Sequence, residues 1–193
     1  IALSNGLEVS DDSDNITGYK YYAITNEHVL KLKGTQSIIK VYLAEDTTDS
    51  GYVSTDVTVL EYDEDLDLAV ISFTTNVYIE IATIKDSKDL KKGQFVLAVG
   101  TPLGLENFNT VTQGIISHPY RINIKDNHYY IQHDAAINPG NSGGGLFNVE
   151  GKLIGINTAR AVDEKEDIYG IGYAIPTSVI ISKYQSYIKN IVD

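Results

Sequence analysis

The 193-residue chain has no cysteine, no methionine and no tryptophan, and only four prolines. Without cysteine no disulfide can brace the fold, so stability has to come from packing, and the redox compartment cannot be read from thiols. With no methionine even at position 1, the chain is expected to be a mature product or an excised segment. Basic residues are scarce, 15 against 26 acidic ones, for a net charge of −11. That balance disfavours nucleic acid and anionic membrane surfaces as partners, because both need clustered Lys and Arg. No apolar run approaches the roughly 20 residues of a membrane span, and no signal peptide is recognisable.

What remains is ordinary globular material, 42% hydrophobic and 21% charged, long enough for one domain or two small lobes. The apolar runs are short and rich in β-branched and aromatic residues. Examples are Tyr21-Tyr22-Ala23-Ile24, Leu68-Ala69-Val70-Ile71-Ser72-Phe73, Phe95-Val96-Leu97-Ala98-Val99 and Gly172-Tyr173-Ala174-Ile175. Polar, Gly or Asp clusters separate them, a pattern that predicts an all-β barrel or sandwich. Two segments read as helix: a single turn over His28 to Lys33, and Thr177 to Ile191, entered from Pro176 with Thr177 or Ser178 as N-cap. The charged stretch Lys85 to Gly93 divides the strands into two comparable groups. Acidic clusters at Asp11–Asp14 and Asp163–Asp167 read as loop tips, and the former lacks the spacing of an EF-hand calcium loop.

One stretch stands apart, Asp134-Ala135-Ala136-Ile137-Asn138-Pro139-Gly140-Asn141-Ser142-Gly143-Gly144-Gly145. A serine on a glycine-rich turn offers an exposed hydroxyl beside free backbone N–H groups, the nucleophile and oxyanion hole of acyl transfer. The same composition also suits a plain flexible loop. Gly140-Asn141-Ser142-Gly143-Gly144 satisfies the G-x-S-x-G elbow of α/β-hydrolases, but that fold needs a histidine after the serine. All four histidines, His28, His118, His128 and His133, precede it. A subtilisin-like order would need an acid before the histidine, and only the Asp11–Asp14 loop is available to His28. The order left is His, Asp, Ser. His28 lies where a strand gives way to a helical turn, which positions a base well. Of Asp63, Asp65 and Asp67, the last abuts the apolar strand, where a carboxylate is partly buried and able to orient an imidazole.

Here a resemblance becomes specific. Thr25-Asn26-Glu27-His28-Val29, Asp67-Leu68-Ala69-Val70-Ile71 and Asp134 to Gly144 resemble the histidine, aspartate and serine motifs of the HtrA/Deg family of trypsin-like serine proteases. Val99 to Leu105, Thr110 to Ser117, Leu153 to Ala159 and Gly170 to Pro176 are similar to further family stretches in the same order. The resemblance implies two six-stranded β-barrels of the chymotrypsin type, about 1–88 and about 89–176, with a C-terminal helix over about 177–191. It implies His28 as general base, Asp67 as its orienter and Ser142 as nucleophile, with an oxyanion hole along Gly140, Asn141 and Ser142. It implies no metal and no cofactor.

The position six residues before the nucleophile, acidic in trypsin-type enzymes, is Ala136, which argues against Arg or Lys specificity. Ile137 matches a pocket-lining position, and the second wall is expected from Asn157, Ala159 and Ala161, so small or medium aliphatic side chains are expected. Asn141 carries no charge to pair with a freed N-terminus, so Ile1 is not expected to activate the enzyme. Unfolded proteins or peptides are the expected substrates, the compartment is expected outside the cytoplasm, and a homotrimer is a family trait. No PDZ-like stretch lies within the chain. The competing readings are a glutamyl-endopeptidase-like protease and a catalytically silent peptide-binding pseudoprotease.

Overall fold

A computed structural model describes residues 7–10, 15–30, 39–43, 52–54, 57–122, 127–160, 169–188 and 191–192. The acidic clusters Asp11–Asp14 and Asp163–Asp167, and Ala161, lie outside them. The chain is mostly β and divides into two compact units, 1–81 and 82–193.

In the first unit, β1 (Leu7–Ser10), β2 (Ile16–Thr25), β6 (Leu68–Thr75) and β5 (Val57–Asp63) form an antiparallel sheet in that order. β3 (Val41–Leu43) and β4 (Tyr52–Ser54) form a separate pair. β6 is buried from Leu68 through Phe73, which explains why its sequence is a continuous apolar run and not an alternating one. Tyr21, Ala23, Ala69, Ile71 and Phe73 build the core. Tyr21 stacks on Phe73 with ring centroids 5.6 Å apart, and its hydroxyl accepts the Ile79 N–H at 2.6 Å. The turn after β2 is the four-residue α1 (Glu27–Leu30). A closed barrel was expected here; the described residues give four sheet strands and a two-stranded pair.

The second unit contains a closed six-stranded barrel. Its order is β11 (Gly145–Asn148), β8 (Phe95–Gly100), β9 (Thr110–Ile122), β10 (Tyr129–His133), β13 (Gly172–Pro176) and β12 (Leu153–Arg160), with β12 pairing back onto β11. Closure leaves no free edge among these six strands, and inward side chains such as Val96, Ile116, Ile131, Leu146 and Ile154 fill the middle. Pro119, which has no N–H to give the ladder, sits where the register between β9 and β10 shifts.

The unit boundary falls at 81/82, ahead of the expected position near 88. The cause is β7 (Ile84–Lys85), which pairs in parallel with β12 and with β14 (Ile191–Val192), burying Ile84 completely. The C-terminal helix is also shorter than expected. α2 spans Thr177–Tyr184, a 3₁₀ turn follows over Gln185–Tyr187, and Ile191 is in a strand. Neither Thr177 nor Ser178 caps α2 with its side chain. Thr177 Oγ1 donates to the Lys85 carbonyl at 2.6 Å, and the Ser178 N–H is accepted by Ser87 Oγ at 3.1 Å. The supposed linker around Ser87 therefore serves as the cap. Ser87→Ala should lower stability by about 1 kcal/mol in urea titrations, as expected when a helix N–H loses its side-chain acceptor.

Candidate functional site

In the first unit the end of β2 and the start of β6 are neighbours, with Thr25 opposite Ala69. This register brings His28 and Asp67 together from 39 residues apart. His28 Nδ1 lies 2.9 Å and 2.8 Å from the two carboxylate oxygens of Asp67, and the His28 backbone N–H donates to Asp67 Oδ1 at 3.0 Å. The imidazole is half exposed at 50%, while the carboxylate is 25% exposed. An Nδ1–H directed at Asp67 leaves Nε2 as the nitrogen able to take a proton.

Asp67 has φ +53°, in the left-handed region that Asp tolerates better than most residues. Two side chains hold it there. Asp63 Oδ1 accepts the N–H groups of Asp65 and Leu66, both at 2.9 Å, closing the turn that leads into Asp67. Asn26, fully buried, donates Nδ2 to the Asp67 carbonyl at 2.8 Å. Neither role was assigned from the sequence. The signal for Asn26 was present in its place two residues before His28, inside the quoted histidine motif.

In the second unit the Ser142 stretch connects β10 to β11. Gly140 has φ +101°, and a Cβ there would collide with the Thr101 carbonyl. The turn is tied down on both sides: Thr101 N–H donates to the Gly140 carbonyl at 3.2 Å, Leu103 N–H to the Pro139 carbonyl at 3.0 Å, and Asn141 N–H to the Asn138 carbonyl at 3.0 Å. Among the described residues the N–H groups of Gly140 and Ser142 donate to no protein acceptor. Asn141 is buried beneath the turn, its Nδ2 3.4 Å from the Ala136 carbonyl. Ser142 Oγ is half-buried and donates to the Thr158 carbonyl at 3.1 Å.

The expected pocket residues are placed unevenly. Ile137 is 9% exposed and Ala136 is exposed. Asn157 is wholly buried in β12, and Ala159 sits on the same strand opposite Tyr173. Behind Ile137 lies His133, fully buried, with its pKa pushed down to about 4 chiefly by desolvation. Gly172 makes room for both side chains: a Cβ there would stand 2.7 Å from His133 Cε1 and 2.9 Å from Ile137 Cγ1. Among the described residues no cluster of three or more His, Asp or Glu side chains is arranged to hold a metal.

Two outcomes follow from these contacts. Asn26→Ala removes a buried donor to the Asp67 carbonyl and should cost about 1–3 kcal/mol in equilibrium unfolding. His133 is neutral in the fold but protonates near 6.5 once unfolded, so the unfolded state binds more protons between those values. The associated stability is complete above about pH 6.5 and is lost as pH falls toward 4, up to about 3 kcal/mol. Urea midpoints over this range should fall for the wild type and fall less for His133→Thr.

Comparison with known proteins gives this arrangement a family. The model of the trypsin-like peptidase domain matches residues 8–156. The serine protease Do-like HtrA of Bacillus subtilis (strain 168) is 40% identical over 198 residues, covering 91% of this chain and 40% of its own length. The protein of the same name from Lactococcus lactis subsp. cremoris (strain MG1363) is 35% identical over 195 residues, covering 94% of this chain and 46% of its own. The chain thus spans under half the length of these relatives. A solved HtrA-type protease, AlgW with decapeptide, superimposes with a TM-score of 0.70 at 34% identity, covering 90% of this chain and 52% of that one. The chain belongs to the trypsin-like peptidase family, and its relatives there are HtrA serine proteases.

Proposed function

We propose that the chain is the catalytic part of an HtrA-type serine endopeptidase that cleaves unfolded proteins or peptides. The observation that carries this reading is the His28–Asp67 pair, with Nδ1 held at 2.8 Å by a carboxylate whose own backbone is clamped. The decapeptide in the related protease supports a peptide substrate.

In the proposed reaction His28 Nε2 takes the hydroxyl proton of Ser142 as Oγ bonds to the scissile carbonyl carbon. The carbonyl π electrons move onto oxygen, and the N–H groups of Gly140 and Ser142, with Asn141 between them, receive that charge. His28 then returns the proton to the leaving amine as the C–N bond breaks. Water hydrolyses the acyl-enzyme by the same steps in reverse order. Asp67 fixes the imidazole tautomer and stabilises its cation. To begin, Ser142 has to give up its hydrogen bond to the Thr158 carbonyl.

Ile137, with Ala159 and Ala161, is proposed to line a primary pocket for small or medium aliphatic side chains, and the uncharged Ala136 argues against Arg or Lys there. The first unit, four sheet strands and a two-stranded pair, is proposed as the second six-stranded barrel. The resemblance to HtrA proteases extends the proposal to a site of action outside the cytoplasm and to a homotrimer.

Ser142→Ala should abolish hydrolysis of denatured protein and labelling by a fluorophosphonate while moving the unfolding midpoint little; activity near wild type would sink the reading. Mass spectrometry of the cleavage products should show cuts after Val, Ala or Ile. A map dominated by Arg and Lys, or confined to Glu, would overturn the proposed pocket.

A further inference from the structure

Asn157 has no exposed surface, yet it touches all three residues that follow the nucleophile. Its carbonyl accepts the Gly143 N–H at 2.8 Å, its N–H donates to the Gly144 carbonyl at 2.9 Å, and its Nδ2 donates to the Gly145 carbonyl at 3.0 Å. The first two bonds are main-chain bonds that many residues could supply. The third needs a side-chain donor of this length. Three consecutive glycines have no side chains of their own to pack, so their path depends on such outside contacts.

The carboxamide has a second end. Among the described residues Asn157 Oδ1 and both ring nitrogens of His133 are buried without a completed hydrogen bond. With Nδ2 committed to Gly145, Asn157 Oδ1 has no completed bond to offset its burial.

We propose that Asn157 is a positioning residue for Ser142, its main chain and carboxamide together clamping Gly143 to Gly145. Asn157 then acts on turnover through the nucleophile's backbone and makes no contact with substrate. The proposal rests on the serine-protease reading for its effect on catalysis but not for the clamp itself.

The test uses the 193-residue chain carrying Asn157→Asp, which keeps shape and loses the donor, and Asn157→Ala, which removes the carboxamide altogether. Three quantities are read: amide hydrogen exchange at Gly143 and Gly144, kcat and KM on a chromogenic peptide, and the urea midpoint. Asn157→Asp should speed exchange at these two amides about 10-fold more than at β8, and lower kcat about 10- to 100-fold with KM within about two-fold, the scale set by small misplacements of reacting groups. Asn157→Ala should show the same pattern. A raised KM with kcat kept would make Asn157 a substrate contact and overturn the proposal. Exchange accelerated uniformly across the barrel, in step with the urea midpoint, would also overturn it, as a merely structural effect. If the wild type hydrolyses nothing, the proposed function fails, and the exchange data alone decide whether the clamp exists.

Discussion

A buried carboxamide donating to a main-chain carbonyl recurs beside both segments of the proposed site. Asn26 does this for Asp67 at 2.8 Å, and Asn157 does it for Gly145 at 3.0 Å. The Asp67 carbonyl belongs to a left-handed residue just ahead of β6, and the Gly145 carbonyl stands where the run of glycines enters β11. Such segments leave polar main-chain atoms with no ladder partner, and a buried one without a partner costs as much as a lost hydrogen bond. An asparagine meets that need at the cost of holding a second polar atom inside. Both Asn26 Oδ1 and Asn157 Oδ1 lack a completed bond among the described residues.

The closed barrel of the second unit makes these irregular turns tolerable. β8, β11 and β12 run side by side, and their ladder fixes the chain on both sides of the serine stretch. Thr101, just after β8, reaches the Gly140 carbonyl, and Asn157 in β12 reaches the glycines. Among the described residues the turn therefore has its carbonyls bonded inward, while the Gly140 and Ser142 N–H groups donate to no protein acceptor, the division of donors that the proposed oxyanion hole requires.

The mostly β character was legible in the sequence, from its short β-branched runs, and the order His28, Asp67, Ser142 left one catalytic arrangement of three to propose. Asp67 was separable from Asp63 and Asp65 because it abuts the apolar start of β6. What escaped was set by distant pairing. Ile84 looked like the approach to a linker, and only its partners Leu153 and Ile191 make it part of the second unit. The helix after Pro176 kept helical spacing through Ile191, but pairing of Ile191 with Ile84 draws the chain into a strand instead. Asn157 looked like a pocket wall because its neighbours along the strand are expected there; its burial depends on β11 and β13 closing around it.

The left-handed backbone at Asp67 narrows what the position can hold. Its side chain has to end in a group that His28 can donate to, and its main chain has to accept φ +53° between Leu66 and the buried Leu68. Glutamate keeps the charge but lengthens the side chain and is less at ease in that region; glycine suits the backbone and has no carboxylate. Asparagine alone shares both the shape and the tolerance, and it exchanges the negative charge for an amide. The protein therefore has no conservative neighbour at this site in sequence space, and charge and chain direction are selected together by one amino acid.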